Sequence, residues 1–373
     1  MIKTLPDFPW DLLAPYKEQA RQHAGGIVDL SVGTPVDPTP EVVRRALIDA
    51  ADAPGYPATY GTPALRDAVA GWLTRRLGVA ADPAAVLPVI GTKEAVAWLP
   101  TLLGTGPDDT VVFPELAYPT YDVGARLAGA TPRAVDGLFS LGPWGVAGRS
   151  HGGGKATPKI VWINSPSNPT GKVLPAEHLR KVVAWARTRG TIVISDECYV
   201  ELGWDAEPVS VLRPDVCDGD HSGLLALHSL SKRSNLAGYR AGFITGDPTL
   251  VAALLEVRKH AGMIVPAPVQ AAMTAAYGDD AHVEEQRERY SRRRSALREA
   301  LAAYGFRIDH SEAGLYLWAT RDEPCWDTVK ALAELGVLVA PGEFYGEAGA
   351  RHVRVALTAT DERVDAAVAR LTA

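Results

Sequence analysis

Seven short, largely apolar runs recur along the first two thirds of the chain, at 86–90, 110–113, 131–135, 159–163, 191–195, 224–228 and 241–245. A run such as Thr191-Ile192-Val193-Ile194-Ser195 lacks polar alternation, so it has no face to offer water and must be covered on both sides. Helical patterns between the runs, such as 176–188, supply the cover. This alternation predicts one large, mostly parallel sheet of an α/β protein, with ligands meeting it at the carboxyl ends of the strands. After Pro266 and Pro268 the pattern changes to a long helix at about 281–303, then to strands around 306–310, 315–319, 337–340 and 353–357. These read as a smaller α/β domain.

The chemistry-bearing residues cluster at the predicted strand ends. Ser229-Leu230-Ser231-Lys232 sets one lysine among hydroxyls, with Arg240 eight positions later. Such an amine can condense with the aldehyde of pyridoxal phosphate while Ser229 and the Arg240 guanidinium meet the phosphate dianion. Asp196 follows the run 191–195 and suits a protonated pyridine nitrogen, and Tyr199, three residues on, can reach the ring oxygen. In Asn164-Ser165-Pro166-Ser167-Asn168-Pro169-Thr170-Gly171, two prolines and a glycine fix a turn that presents Asn168 as a donor to the same oxygen. Each residue alone has an ordinary reading, as a surface lysine, a turn-forming aspartate or plain loop chemistry. Their common order at or just after strand ends does not.

With these residues the chain resembles the class I aminotransferases, pyridoxal phosphate enzymes of fold type I. The resemblance implies a large domain at 34–265 with a mostly parallel seven-stranded sheet, and a small domain formed by 1–33 and 266–373. It implies the Schiff base at Lys232, the nitrogen partner at Asp196, ring-oxygen donors at Asn168 and Tyr199, and phosphate ligands at Ser229 and Arg240. In Ile90-Gly91-Thr92-Lys93 a turn opens a helix whose amides suit a phosphate, with Thr92 and Lys93 supplying them; Lys93 serves through its backbone amide, a phosphate contact through its side chain being the alternative. Tyr118 takes the position of the ring that stacks on the cofactor, with Tyr121 a core residue. Tyr56 matches the tyrosine that reaches the neighbouring subunit's cofactor, which implies a homodimer with shared sites. Arg354, set among apolar neighbours, is geometrically matched to an α-carboxylate, and Gly33 lets a backbone approach that carboxylate.

Runs such as Phe8-Pro9-Trp10-Asp11 and Gly203-Trp204-Asp205-Ala206-Glu207-Pro208 resemble those of actinobacterial N-succinyldiaminopimelate aminotransferases. The resemblance implies amino-acid and 2-oxoacid substrates in lysine and diaminopimelate biosynthesis. An aspartate-type or other amino acid aminotransferase, or a lyase on the same scaffold, stays open at this point. Arg233 and the glycine-rich stretch 142–154, read as a surface loop, match no family role.

Composition bounds the partners. The formal net charge is −6 and no basic tract is interleaved with aromatics, which argues against nucleic acid. The arginine-rich run 286–294 alternates with acids along a helix and reads as a solvated face. No apolar run reaches spanning length, and the first residues lack a signal peptide's apolar core, so no membrane partner and a cytoplasmic location are expected. Three widely spaced cysteines, Cys198, Cys217 and Cys325, suit a reducing compartment and no metal site.

Overall fold

The computed structural model describes residues 5–6, 8–136 and 157–373. The stretch 142–154 lies outside the described residues. In chain order the strands are β1 (Val28–Asp29), β2 (Val86–Ile90), β3 (Thr110–Pro114), β4 (Thr131–Val135), β5 (Ile160–Asn164), β6 (Ile192–Asp196), β7 (Leu224–Ser229), β8 (Ala241–Gly246), β9 (Arg307–Asp309), β10 (Tyr316–Thr320), β11 (Val337–Leu338), β12 (Ala340–Pro341) and β13 (Val353–Ala356).

Among the described residues β2 to β8 form a seven-stranded sheet in the order β2-β8-β7-β6-β5-β3-β4. Only β8 runs against its neighbours; the other pairings are parallel. Every residue of β5, β7 and β8 is buried, which is why these strands read as continuous apolar runs. Side chains alternate across the sheet. Val193 and Phe243 pack with Trp72 and Tyr277 on one face, and Ile194 and Ile244 with Trp162 on the other. The helix Ala267–Gly278, just beyond the expected boundary at 265/266, packs Met273 and Tyr277 on the first of these faces.

The small sheet has the order β12-β13-β10-β9, all antiparallel, and sets Trp318 opposite Arg354. The N-terminal segment is tied to this region by β1, which pairs with β11, and by Leu30, whose carbonyl accepts from Ala356 N at 2.8 Å. Leu13, Val28 and Leu30 share a core with Trp318 and Val355.

The run 286–294 corrects its expectation. On the helix Ala281–Ala303, Gln286, Tyr290, Arg293 and Arg294 are buried, while Glu288 and Arg292 stay exposed. Arg293 pairs with Asp37 and Asp361, both at 2.6 Å, and Arg294 with Asp205. Counting charges along the helix missed this because the neutralising acids come from remote segments.

One buried pair fixes the helix Thr92–Leu102, which begins directly after β2. Arg258, fully buried, donates to both oxygens of Glu94 at 2.9 and 3.1 Å, and Glu94 also accepts from Ile90 N at 3.3 Å. Arg258→Ala leaves a largely buried carboxylate without its cation. The expected cost is about 3 kcal/mol of unfolding free energy, read from urea denaturation.

Candidate active site

Three adjacent parallel strands, β5, β6 and β7, end in Asn164, Asp196 and Ser229. Asn164 ties two of these ends together. Its amide donates to the Asp196 carbonyl at 3.0 Å and its Oδ1 accepts from Asn168 N at 2.7 Å, which holds the following turn against β6. The Asp196 carboxylate accepts from the Tyr121 hydroxyl at 2.9 Å and from Cys198 N at 3.2 Å. Burial pushes its carboxyl above the usual carboxylate range, against the pull of those donors.

Lys232 sits on the helical turn Leu230–Arg233 after β7, which Ser229 caps by accepting from Ser231 N at 3.1 Å. Its amine donates to the Gly33 carbonyl. Burial lowers the Lys232 pKa, and the Arg354 and Arg240 cations act in the same direction. Arg240 has φ +55 and is anchored by its own bond to the Ala237 carbonyl at 2.8 Å. Gly91, with φ +72, caps the helix that starts with Thr92 and Lys93; a Cβ there would fall 2.3 Å from Arg240 Nη2. Only glycine lets that helix start approach the guanidinium so closely.

Arg354 is 3% exposed and pairs with no acid among the described residues. Its guanidinium donates to Asn168 Oδ1 at 2.9 Å and to the Ser31 carbonyl at 2.8 Å, and Nε has no partner. Because arginine only donates, Asn168 turns its oxygen to Arg354 and keeps its NH2 for the cavity. Gly33 is packed under Tyr316, where a Cβ would lie 2.1 Å from the phenol oxygen.

Gly33, Thr92, Lys93, Tyr118, Asn168, Asp196, Tyr199, Ser229, Lys232, Arg240 and Arg354 all line one cavity of about 650 Å³. Tyr56 does not; it is 100% exposed on this chain. Burial pushes the Tyr118 phenol up to about 12, so the ring presents itself neutral. Cys198 also faces the cavity, and its thiol donates to Thr92 Oγ1 at 3.3 Å. Burial raises its pKa well above the ordinary value, which suits a protonated thiol.

Sequence reading missed Asn164 and the tyrosine partners, Tyr121 to Asp196 and Tyr316 to Tyr199, although it set the Gly314-Leu315-Tyr316 strand entrance beside the substrate. Asn164 ends an apolar run as Asp196 does, and that position was its signal; the tyrosines carry none, because their partners are remote. Arg233 turns away from the cavity. It pairs with Glu201, donates to the Ala276 carbonyl at 2.9 Å and lies over the rings of Trp72 and Tyr277. Among the described residues no group of three His, Cys, Asp or Glu could hold a metal, and no helix is long and apolar enough to cross a membrane.

Residues 26–371 match the family model of class I and II aminotransferases. The chain belongs to that family. It is an aminotransferase of fold type I, and its cofactor is pyridoxal phosphate. It is 63% identical to 4-dedimethylamino-4-oxo-anhydrotetracycline transaminase OxyQ of Streptomyces rimosus over 371 residues, 100% of both chains. A probable aminotransferase of Mycobacterium tuberculosis is 65% identical over 370 residues, 99% of this chain and 86% of that one. A mutant Thermus thermophilus aspartate aminotransferase superposes with a TM-score of 0.85 at 26% identity, over 99% of this chain and 97% of the other.

The aminotransferase's cavity fits this cofactor by its donor set. One wall carries a buried carboxylate without a cation beside it, suited to a protonated ring nitrogen. The wall also carries an amine of depressed pKa, and the Arg240 guanidinium lies against the start of a helix. Tyr121→Phe takes a hydroxyl donor from a buried carboxylate. The expected loss is about 1 to 2 kcal/mol in the cofactor-free protein, read as a lower denaturation midpoint, with weaker cofactor retention on dialysis.

Proposed function

We propose that this aminotransferase interconverts N-succinyl-LL-2,6-diaminoheptanedioate and N-succinyl-L-2-amino-6-oxoheptanedioate, with 2-oxoglutarate and glutamate as the other pair, in lysine and diaminopimelate biosynthesis. The observation that carries the reading is the charge of the cavity wall. Lys93, Lys232, Arg240 and Arg354 line it against a single carboxylate, Asp196, among the described residues. In this reading Lys232 bonds the cofactor, Asp196 pairs with its ring nitrogen, Asn168 and Tyr199 donate to its ring oxygen, and Tyr118 covers the ring. Ser229, Arg240 and the amides of Thr92 and Lys93 hold its phosphate. Arg354, with a buried Nε to spare, and the Gly33 backbone take the substrate α-carboxylate. That leaves the Lys93 ammonium, 5.5 Å from the centre of the Phe8 ring, for a distal carboxylate. Lys93 then serves through its side chain as well as its amide.

When bound, pyridoxal phosphate supplies an electron sink for charge developing at the substrate Cα. Lys232, its pKa lowered by burial, takes the Cα proton and returns it on the other side of the exchange. Arg354 and Asn168 hold the carboxylate end so that the Cα–H bond faces that amine.

The fully exposed Tyr56 supports a homodimer in which it completes the partner's phosphate site. In this reading residues 34–265, joined by the helix Ala267–Gly278 that packs on their sheet, form the cofactor-holding unit, and 1–33 with the rest of 266–373 form the small unit beside the substrate. Three free thiols support a cytoplasmic setting. A second reading, transamination of a ring ketone, is favoured by the 63% identity to OxyQ and by the apolar wall at Phe8, Trp10 and Val32.

Lys232→Ala is expected to lower turnover by roughly a thousandfold or more, because one amine serves as covalent anchor and proton carrier. Borohydride reduction should fix cofactor to the wild-type chain and leave none on the variant after denaturation. Near-native turnover would remove Lys232 from the reaction.

For the substrate, kcat/KM compared across succinylated diaminoheptanedioate, the unsuccinylated form, aspartate, aromatic amino acids and a 4-oxo-anhydrotetracycline decides the reading. The succinylated substrate should lead, and Lys93→Ala should raise its KM about tenfold with kcat little changed. A clear lead for the ring ketone selects the second reading. A lead for aspartate or an aromatic amino acid removes both, and failure to return the amino group to an added oxoacid would mean a lyase.

A further inference from the structure

Tyr316 has no role in the assignments above, yet its hydroxyl stands where they meet. Its Oη lies 3.1 Å from that of Tyr199, and both phenols are buried. The Arg354 guanidinium lies 3.9 Å from the centre of its ring. Its hydroxyl rests on Gly33, the residue whose carbonyl accepts from the Lys232 amine. The ring is held there by β10, which pairs with β13 in the register that sets Tyr316 opposite Ala356 and Trp318 opposite Arg354.

A hydroxyl has one proton to donate. Two phenols that share one hydrogen bond therefore divide the roles, one donating and the other accepting. If the Tyr199 proton goes to the cofactor ring oxygen, Tyr199 can only accept from Tyr316. Acidity runs the same way. Burial pushes both phenols up, but the Arg354 cation, helped by Lys232 in the cofactor-free chain, brings Tyr316 below the ordinary phenol value, while Tyr199 stays well above it. The stronger acid is the natural donor.

We propose that Tyr316 is a positioning residue, which donates its hydroxyl proton to Tyr199 and so commits the single proton of Tyr199 to the cofactor ring oxygen. This rests on the reading of Tyr199 as a ring-oxygen donor. Without Tyr316 the Tyr199 hydroxyl is free to rotate, and part of the time its proton points elsewhere. The ring oxygen is then less well stabilised as an anion, and the neighbouring nitrogen that joins Lys232 to the cofactor holds its proton to higher pH.

The test is a spectrophotometric pH titration of the bound cofactor in holoenzyme, for wild type, Tyr199→Phe, Tyr316→Phe and the double variant. Tyr199→Phe should raise the midpoint by about one unit and Tyr316→Phe by about half a unit. Adding Tyr316→Phe to Tyr199→Phe should change nothing further, because the relay has no member left to act through. Phenylalanine keeps the ring under Arg354. Tyr316→Met, which removes the hydroxyl with a flexible apolar chain, should give the same shift and serves if the first variant does not fold. A Tyr199→Phe midpoint equal to wild type overturns the reading of Tyr199 itself. If Tyr199→Phe shifts the midpoint and the Tyr316 variants do not, this inference alone fails. An equal Tyr316→Phe shift in both backgrounds means that Tyr316 acts without Tyr199, and it also overturns the proposal.

Discussion

The buried guanidinium of Arg354 organises this molecule. A cation withdrawn from water without a counter-ion costs several kcal/mol, so its surroundings must offset that cost. Here the Ser31 carbonyl, the Asn168 amide oxygen and the faces of Tyr316 and Tyr345 do so, at 2.8 and 2.9 Å for the acceptors and 3.9 and 4.9 Å for the rings. Ser31 belongs to the N-terminal segment, Asn168 to the turn after β5, and Tyr316 and Tyr345 to the small-sheet region. One unsatisfied charge thus holds three parts of the chain in register, and none of its partners cancels it. An entering carboxylate can.

The remaining cavity residues are placed by strand ends and by close approaches. Asn164 locks the prolyl turn to β6, so Asn168 and Asp196 are fixed relative to each other by two hydrogen bonds. Gly91 and Gly33 admit side chains that any Cβ would exclude, Arg240 in one case and Tyr316 in the other. The low polarity that raises Asp196 also lowers Lys232. A carboxylate that needs a cation and an amine ready to react thus share one physical cause, removal from water.

Legibility followed distance along the chain. Ser229, Lys232 and Arg240 lie within one short motif, and their shared setting after an apolar run was visible in the residues themselves. Arg233, one position from Lys232, was left without a role because its partners, Glu201 and the Ala276 carbonyl, lie far along the chain. Tyr121 read as a core tyrosine, and it is one; its hydroxyl nonetheless ends on Asp196, 75 residues away. The run 286–294 looked solvated for the same reason, since Asp37 lies 256 residues from Arg293.

The seven apolar runs, the long helix at 281–303 and the residue types at the ends of β6 and β7 follow from the order of residues alone, because periodicity and burial on both faces are local consequences of composition along a strand or helix. Strand order, the antiparallel run of β8 and the meeting of Arg354 with Ser31 and Asn168 were decided only by the tertiary structure. Local preference is indifferent to those choices. They are settled where burying a charge or a phenol requires partners, and the nearest chemically adequate partners lie hundreds of residues away, 323 between Ser31 and Arg354.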